Sequence, residues 1–125
     1  EKDKRTAAVV MKRDIQHTPA YTTTYCDETA VLTTEQRELR DHVRDFAASV
    51  VRSRADEIEN RGMVPVDMWQ QLGSLGVLGV TAPTEHGGLA LGYTEHCLVM
   101  EELSRASASV ALSYGAHSNL CINQL

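Results

Sequence analysis

A chain of 125 residues with 42% hydrophobic content can form one domain with a modest core, and its few aromatics (one Trp, four Tyr, one Phe) favour helices packed through aliphatic side chains. Its net charge of −5, with no lysine after Lys12, argues against a nucleic-acid partner because no basic stripe is present to neutralise phosphates. No apolar run reaches the roughly 20 residues of a membrane-spanning helix, so membrane insertion is not expected.

The first 31 residues show neither a helical nor an alternating hydrophobic period. The stretch from Lys4 to Cys26 contains four basic residues against one acid, Asp14, and is rich in threonine. This composition is typical of an organelle transit peptide, and it also fits a disordered leader or a remnant of cloning. We expect residues 1–31 to lie outside the folded domain, which would span residues 32–125.

A long amphipathic helix is predicted next. Thr33 and Gln36 have the spacing of a capping box, in which each side chain satisfies a free amide of the first turn. Apolar residues then recur at helical spacing: Leu39, Val43, Phe46, Ala47, Val50, Val51 and Ile58. Gly62 provides a left-handed stop after about 25 residues, and the charged residues in between are expected to form a solvated face.

A second helix is predicted to begin at Pro65, because a missing amide costs nothing in a first helical turn. Trp69 and Leu72 should face the core, and Gly73 and Gly76 should end the helix.

The segment 77–92 is rich in glycine and proline and predicts a loop, with a short extended piece at Val77 to Val80. Its glycines at 87, 88 and 92 match neither GxGxxG nor a P-loop, and no lysine follows. Tight turns that need a positive φ explain these glycines better than a phosphate site does.

A third helix is predicted from about Tyr93 to Ser104, and a fourth begins near Ser109 after a link of small residues. No segment has the length and alternation of a strand. The predicted fold class is therefore all-α, with about four helices.

The final stretch, LSYGAHSNLCINQL, contains the residue types of several active sites. His117 and Cys121 lie one helical turn apart, but a closed zinc site needs about four ligands. Ser113 and His117 could also meet, but no acid in this helix can orient the imidazole for a hydrolase triad. We expect no metal site and no catalytic residue here, and instead a buried imidazole with one hydrogen bond.

The three cysteines, Cys26, Cys97 and Cys121, include no CxxC pair, which suits free buried thiols in a reducing compartment. Glu102, three residues before Arg105, predicts an ion pair at a surface or an interface.

No charged residue follows Arg105, and a helix without a charged face is explained if protein or ligand surrounds it. Gly115, with Ser113 and Ala116 beside it, should leave a shallow dent in that helix. Either a neighbouring helix or an apolar ligand could fill the dent.

The sequence resembles the amino-terminal helical domain of the acyl-CoA dehydrogenases, most densely from Trp69 onwards. LGVLGV, GGLALGY and MEELSRAS resemble patterns general to the family, while LSYGAHSNLCINQL resembles a branch that acts on short branched acyl groups. The resemblance runs from about Leu32 to Leu125, and Ala90 stands where the family more often has glycine. The first residue is Glu rather than Met, so we expect a piece of a longer protein whose helical domain is incomplete at its carboxyl end.

The resemblance implies an FAD-dependent enzyme of the mitochondrial matrix that forms an α,β-double bond in an acyl-CoA. It also implies reoxidation by electron-transferring flavoprotein and a homotetrameric parent protein. The family's middle β-domain and carboxy-terminal helical domain supply the base and most flavin contacts, so no cofactor-binding residue is assignable in this chain. Another short or branched acyl-CoA substrate, or a non-enzymatic helical interaction module, are the alternatives.

In the family, the helix that matches residues 109–125 borders the fatty-acyl cavity. Leu112 and Ala116 resemble the positions that face this cavity. A leucine would shorten the pocket, and a small alanine would leave room for a branch methyl group.

Overall fold

The computed structural model describes residues 31–124, and within that range it contains helices joined by short turns and no β-strand. The predicted all-α fold class is confirmed for this part of the chain. The predicted leader, residues 1–31, lies outside the described residues except for Val31.

The first helical segment runs from residue 34 to residue 61 without an intervening loop. In chain order it consists of α1 (Thr34–Phe46), a π turn (Ala47–Val51), a 3-10 turn (Arg52–Arg54) and α2 (Ala55–Arg61). The long helix is thus confirmed in its extent, but the sequence did not predict the two non-α turns inside it.

Both predicted ends of this segment are confirmed. The amide of Gln36 donates to Thr33 Oγ1 at 3.2 Å, and the amide of Thr33 donates to Gln36 Oε1 at 3.0 Å, which completes the capping box. Gly62 closes the segment with a φ of +65°, a conformation that glycine adopts without steric cost.

The second helix, α3 (Val66–Ser74), follows Pro65, which occupies the N-cap position. Leu72 is fully buried as predicted, whereas Trp69 is half-buried at the edge of the core. Gly73 lies inside the helix, so only Gly76, with a φ of +82°, ends it.

Two 3-10 turns, Val77–Gly79 and Thr84–His86, shape the glycine-rich loop. The extended piece predicted at Val77 to Val80 is wrong, because a 3-10 turn begins directly after the left-handed Gly76. The loop then folds back on itself: the amides of Leu89, Ala90 and Leu91 donate to the carbonyls of Gly79, Ala82 and Val80 at 2.8–2.9 Å.

The glycines of this loop are explained by its backbone. Gly87 has a φ of +80°, as predicted for a tight turn. Gly88 has another reason, since a Cβ at this position would lie 2.1 Å from the carbonyl oxygen of Ala82. Ala90, at the family's usual glycine position, adopts a left-handed φ of +51° despite its side chain.

The third and fourth predicted helices are also present. They are α4 (Tyr93–Ala106) and α5 (Ala108–Gly115), and α5 continues into a π turn (Ala116–Cys121) and a 3-10 turn (Ile122–Gln124). Ser107 separates α4 from α5 with an extended backbone, and its hydroxyl accepts from the amide of Val110. We call residues 108–124 the terminal helix.

The core lies where α1 and its π turn pack on α4, which in turn packs on α5. Each large aliphatic side chain buried there contributes about 1.5–3 kcal/mol. The fully buried members are Val43, Val51, Ile58, Met68, Leu72, Val77, Val80, Val99, Leu103, Val110 and Tyr114.

Candidate functional site

One side of the terminal helix is apolar and uncovered. Leu112 and Leu120 are 76% and 71% exposed, and Ala116 is exposed between them. Ala116 and Leu120 lie in a π turn, whose hydrogen bonds span five residues rather than four, so Leu120 stays close to the side of the helix on which Ala116 lies. Leu112 lies one turn before Ala116, and the structure thus brings Leu112 and Ala116 together on one face. Their predicted role in an acyl pocket stays a prediction.

The opposite side of the terminal helix contains the polar groups that resembled an active site. The hydroxyl of Tyr114, a fully buried residue, donates to the carbonyl of Val77 at 2.8 Å. Burial raises the pKa of Tyr114 to about 12, so its hydroxyl stays protonated and able to donate. His117 Nε2 lies 3.2 Å from the carbonyl of Leu78. The predicted imidazole with one hydrogen bond is confirmed, although His117 is half-buried rather than buried.

Two serines of this helix, Ser113 and Ser118, bond to its own backbone. Ser113 donates to the carbonyl of Ser109 and Ser118 to that of Tyr114, both at 2.9 Å. Ser113 therefore directs its hydroxyl along the helix, which is not the arrangement of a nucleophile activated by His117.

The dent predicted at Gly115 is filled by a neighbouring helix. A Cβ at Gly115 would lie 3.0 Å from the methyl carbon of Met100 on α4. Of the two alternatives for this dent, the structure selects the packing contact and not a ligand.

A buried histidine lies beside this contact and was not identified from the sequence. His96 is 4% exposed, its ring stacks on Tyr114 with centroids 5.9 Å apart, and Tyr93 lies tilted against it at 5.2 Å. Its Nδ1 has no hydrogen-bond partner, and burial lowers the pKa of this imidazole. The only available signal was a histidine on the apolar face of a helix, which more often indicates packing than catalysis.

The predicted ion pair of Glu102 with Arg105 is present at 3.9 Å, but Glu102 is buried rather than at the surface. Glu102 is 2% exposed and accepts two hydrogen bonds from Arg44, while Arg105 Nε lies 3.9 Å away. Arg105 also pairs with Glu101, at 2.5 Å. The bonds to Glu102 raise the pKa of Arg44, which keeps its guanidinium charged.

No three His, Cys, Asp or Glu side chains between residues 31 and 124 are grouped closely enough to hold a metal ion. Cys97 and Cys121 are free thiols, but both are exposed, so the expected burial is wrong for these two; Cys26 lies outside the described residues. Within the described range no helix combines the length and hydrophobicity needed to cross a membrane.

The fold and the sequence together define the class of protein. The model of the acyl-CoA dehydrogenase N-terminal domain matches residues 33–125, and the chain belongs to the acyl-CoA dehydrogenase family.

Individual relatives narrow the comparison. Over 96 residues the chain is 57% identical to the mitochondrial isovaleryl-CoA dehydrogenase of Pongo abelii, a match covering 75% of this chain and 23% of that protein. Two proteins of Solanum tuberosum match over 92 residues, covering 72% of this chain and 22% of each: a mitochondrial isovaleryl-CoA dehydrogenase at 49% identity and a mitochondrial 2-methylacyl-CoA dehydrogenase at 44%. The chain thus spans less than a quarter of the length of these relatives.

Proposed function

We propose that this chain forms the helical domain of a mitochondrial matrix enzyme that oxidises isovaleryl-CoA to its α,β-enoyl-CoA in leucine catabolism. Electron-transferring flavoprotein would receive the electrons, and the complete protein would be a homotetramer. The observation that carries the proposal is 57% identity to an isovaleryl-CoA dehydrogenase across the domain that includes the terminal helix. The 125 residues alone are proposed to be inactive, since none of them is assigned as the catalytic base.

The proposed role of this domain is selection of the acyl chain by Leu112 and Ala116. Their face is apolar, exposed and part of a helix without charges, which suits contact with a branched alkyl group. Leu112 would limit the depth of the pocket, and Ala116 would leave space for the branch methyl. One methylene in such a pocket discriminates by roughly 1–3 kcal/mol.

FAD is proposed as the cofactor of the complete protein, but the cavity beside the Arg44–Glu102 pair does not fit a flavin. That cavity, between α1 and α4, has a volume of about 160 Å³. Pockets for drug-sized ligands occupy roughly 300–1,000 Å³. We assign no residue of the described range to FAD.

A chimeric enzyme tests the proposal. Residues 33–125 replace the matching part of the Pongo abelii isovaleryl-CoA dehydrogenase, and kcat/KM is measured for isovaleryl-CoA, butyryl-CoA and a 2-methyl-branched acyl-CoA with a dye as electron acceptor. We expect isovaleryl-CoA to be preferred. A preference for either other substrate would assign the chain to a different acyl-CoA dehydrogenase, and an inactive chimera would refute the proposal.

A further inference from the structure

Four side chains form a continuous hydrogen-bonded chain that joins the terminal helix to the glycine-rich loop and to the first residue of α4. The Tyr93 hydroxyl donates to Oδ1 of Asn119, and Nδ2 of Asn123 donates to the same oxygen at 3.3 Å. The hydroxyl of Thr81 donates to Oδ1 of Asn123. The two asparagines thus connect to Thr81 within the loop and to Tyr93 at the start of α4.

We infer that Asn119 and Asn123 are positioning residues that hold the second half of the terminal helix against this loop and the start of α4. Because Leu112 and Ala116 belong to the same helix, the position of the helix also determines the position of their apolar face. This part of the inference rests on the proposed function.

The burial pattern of the helix makes these bonds important. The first half is anchored by buried side chains, of which Tyr114 and Ser118 are the last. Between residues 119 and 124 no side chain is buried, and Leu120 is 71% exposed. A segment with few buried apolar contacts opens at low free-energy cost, so polar links dominate its local stability.

The two asparagines have different chemical roles. Asn119 uses only its oxygen, which accepts from Tyr93 and from Asn123. Asn123 must accept from Thr81 and donate to Asn119 at once. An aspartate at position 119 can therefore accept both hydrogen bonds. An aspartate at position 123 has no hydrogen-bond donor, so its carboxylate would face the oxygen of Asn119 without a hydrogen bond between them.

This asymmetry provides a matched pair of variants, Asn119→Asp and Asn123→Asp. Both add one negative charge near the same helix end, so the unfavourable interaction with the helix dipole is common to the two. Asn60→Asp, at an exposed position on α2, controls for added charge remote from the terminal helix.

The first measurement is hydrogen exchange of the 125-residue chain, which does not depend on any enzymatic activity. We expect Asn123→Asp to lower the protection of amides 119–124 about fivefold, the factor for one net hydrogen bond, while Asn119→Asp and Asn60→Asp retain it. Equal protection in both terminal-helix variants, whether retained or lost, would overturn the inference.

The second measurement is the ratio of kcat/KM for isovaleryl-CoA to that for butyryl-CoA in the chimera described above. Asn123→Asp should lower this ratio about fivefold, mainly through KM, and Asn119→Asp should preserve it. An unchanged ratio in an active Asn123→Asp chimera would refute the positioning role. If the unsubstituted chimera is inactive, the proposed function fails by itself, and the exchange measurement still decides whether the asparagines hold the helix.

Discussion

Arg44 and Glu102 form a two-point ion pair between α1 and α4, with Nε and Nη2 of the arginine 3.0 and 2.7 Å from the two carboxylate oxygens. The carboxylate side is 2% exposed and the guanidinium side is 42% exposed, so the arginine screens a buried charge from water. Removing one partner of such a pair leaves the other uncompensated, which is why it destabilises more than the loss of an exposed pair.

We expect Arg44→Ala to lower the free energy of unfolding by about 2–4 kcal/mol, because Arg105 at 3.9 Å is too distant to replace both hydrogen bonds. Urea denaturation followed by circular dichroism measures this loss. Arg61→Ala is the matched control, since its pair with Glu57 is exposed on both sides and should contribute much less to stability. Similar losses in the two variants would contradict the prediction.

The ends of the helices could be predicted from the sequence because their signals are local. A capping box spans four consecutive residues, and the left-handed turn at Gly62 needs only one, so neighbouring residues are enough to predict both. The pair of Arg44 with Glu102 joins residues 58 positions apart, and no local pattern predicts which arginine reaches a given carboxylate. Glu102 therefore looked like a surface residue.

The π turns were missed for a different reason. Each contains a serine whose hydroxyl donates a hydrogen bond to the carbonyl four residues earlier. Ser49 donates to the carbonyl of Asp45, and Ser118 donates to the carbonyl of Tyr114. Such bonds compete with the backbone amide for the carbonyl and bend helices. The same bond is made by Ser104 and Ser113 within ordinary α-helix, so a serine in a helix interior does not by itself predict a π turn.

The candidate site was predictable to the same limited degree. Helical spacing alone puts Leu112 and Ala116 on one face, and the structure does so. The polar links of the terminal helix reach back 26 residues to Tyr93 and 42 residues to Thr81, and only tertiary structure reveals them.

The loop backbone predicts opposite effects for two exchanges between glycine and alanine. Ala90 has a φ of +51°, so Ala90→Gly should relieve a left-handed conformation and stabilise the chain by up to about 1 kcal/mol. Gly87 has a φ of +80° with nothing within 4 Å of an added Cβ, so Gly87→Ala should destabilise by about 1 kcal/mol through backbone conformation alone. Thermal melting of both variants checks the signs, and two shifts in the same direction would contradict this account of the loop.

The Leu112 side chain predicts a change in acyl preference. In the chimeric enzyme, Leu112→Gly should deepen the pocket and raise kcat/KM for a longer acyl-CoA relative to isovaleryl-CoA by about tenfold or more. Leu112→Ala, which avoids the roughly 1 kcal/mol that glycine costs within a helix, should shift preference in the same direction. Val66→Ala is the control, because it shortens an exposed apolar side chain on α3 away from this face. An unchanged chain-length profile in both Leu112 variants would remove Leu112 from the pocket.

His96 predicts a loss of stability in mild acid. Burial lowers the pKa of this imidazole in the folded chain, so the unfolded chain binds the proton first. The contribution of His96 is therefore complete above the unfolded value of about 6.5 and decreases as the pH falls below it towards the lower pKa of the folded state.

Denaturant unfolding between pH 7.5 and 5.5 measures this slope in a range above the titration of most carboxylates. His96→Phe keeps an aromatic ring against Tyr93 and Tyr114 and removes the titrating group, so its stability should depend less on pH than that of the parent chain. His42→Gln, at an exposed position on α1, should keep the parental slope. If His96→Phe kept that slope as well, the acid sensitivity would have to arise from other groups, and the unpartnered Nδ1 of His96 would have no energetic consequence in this range.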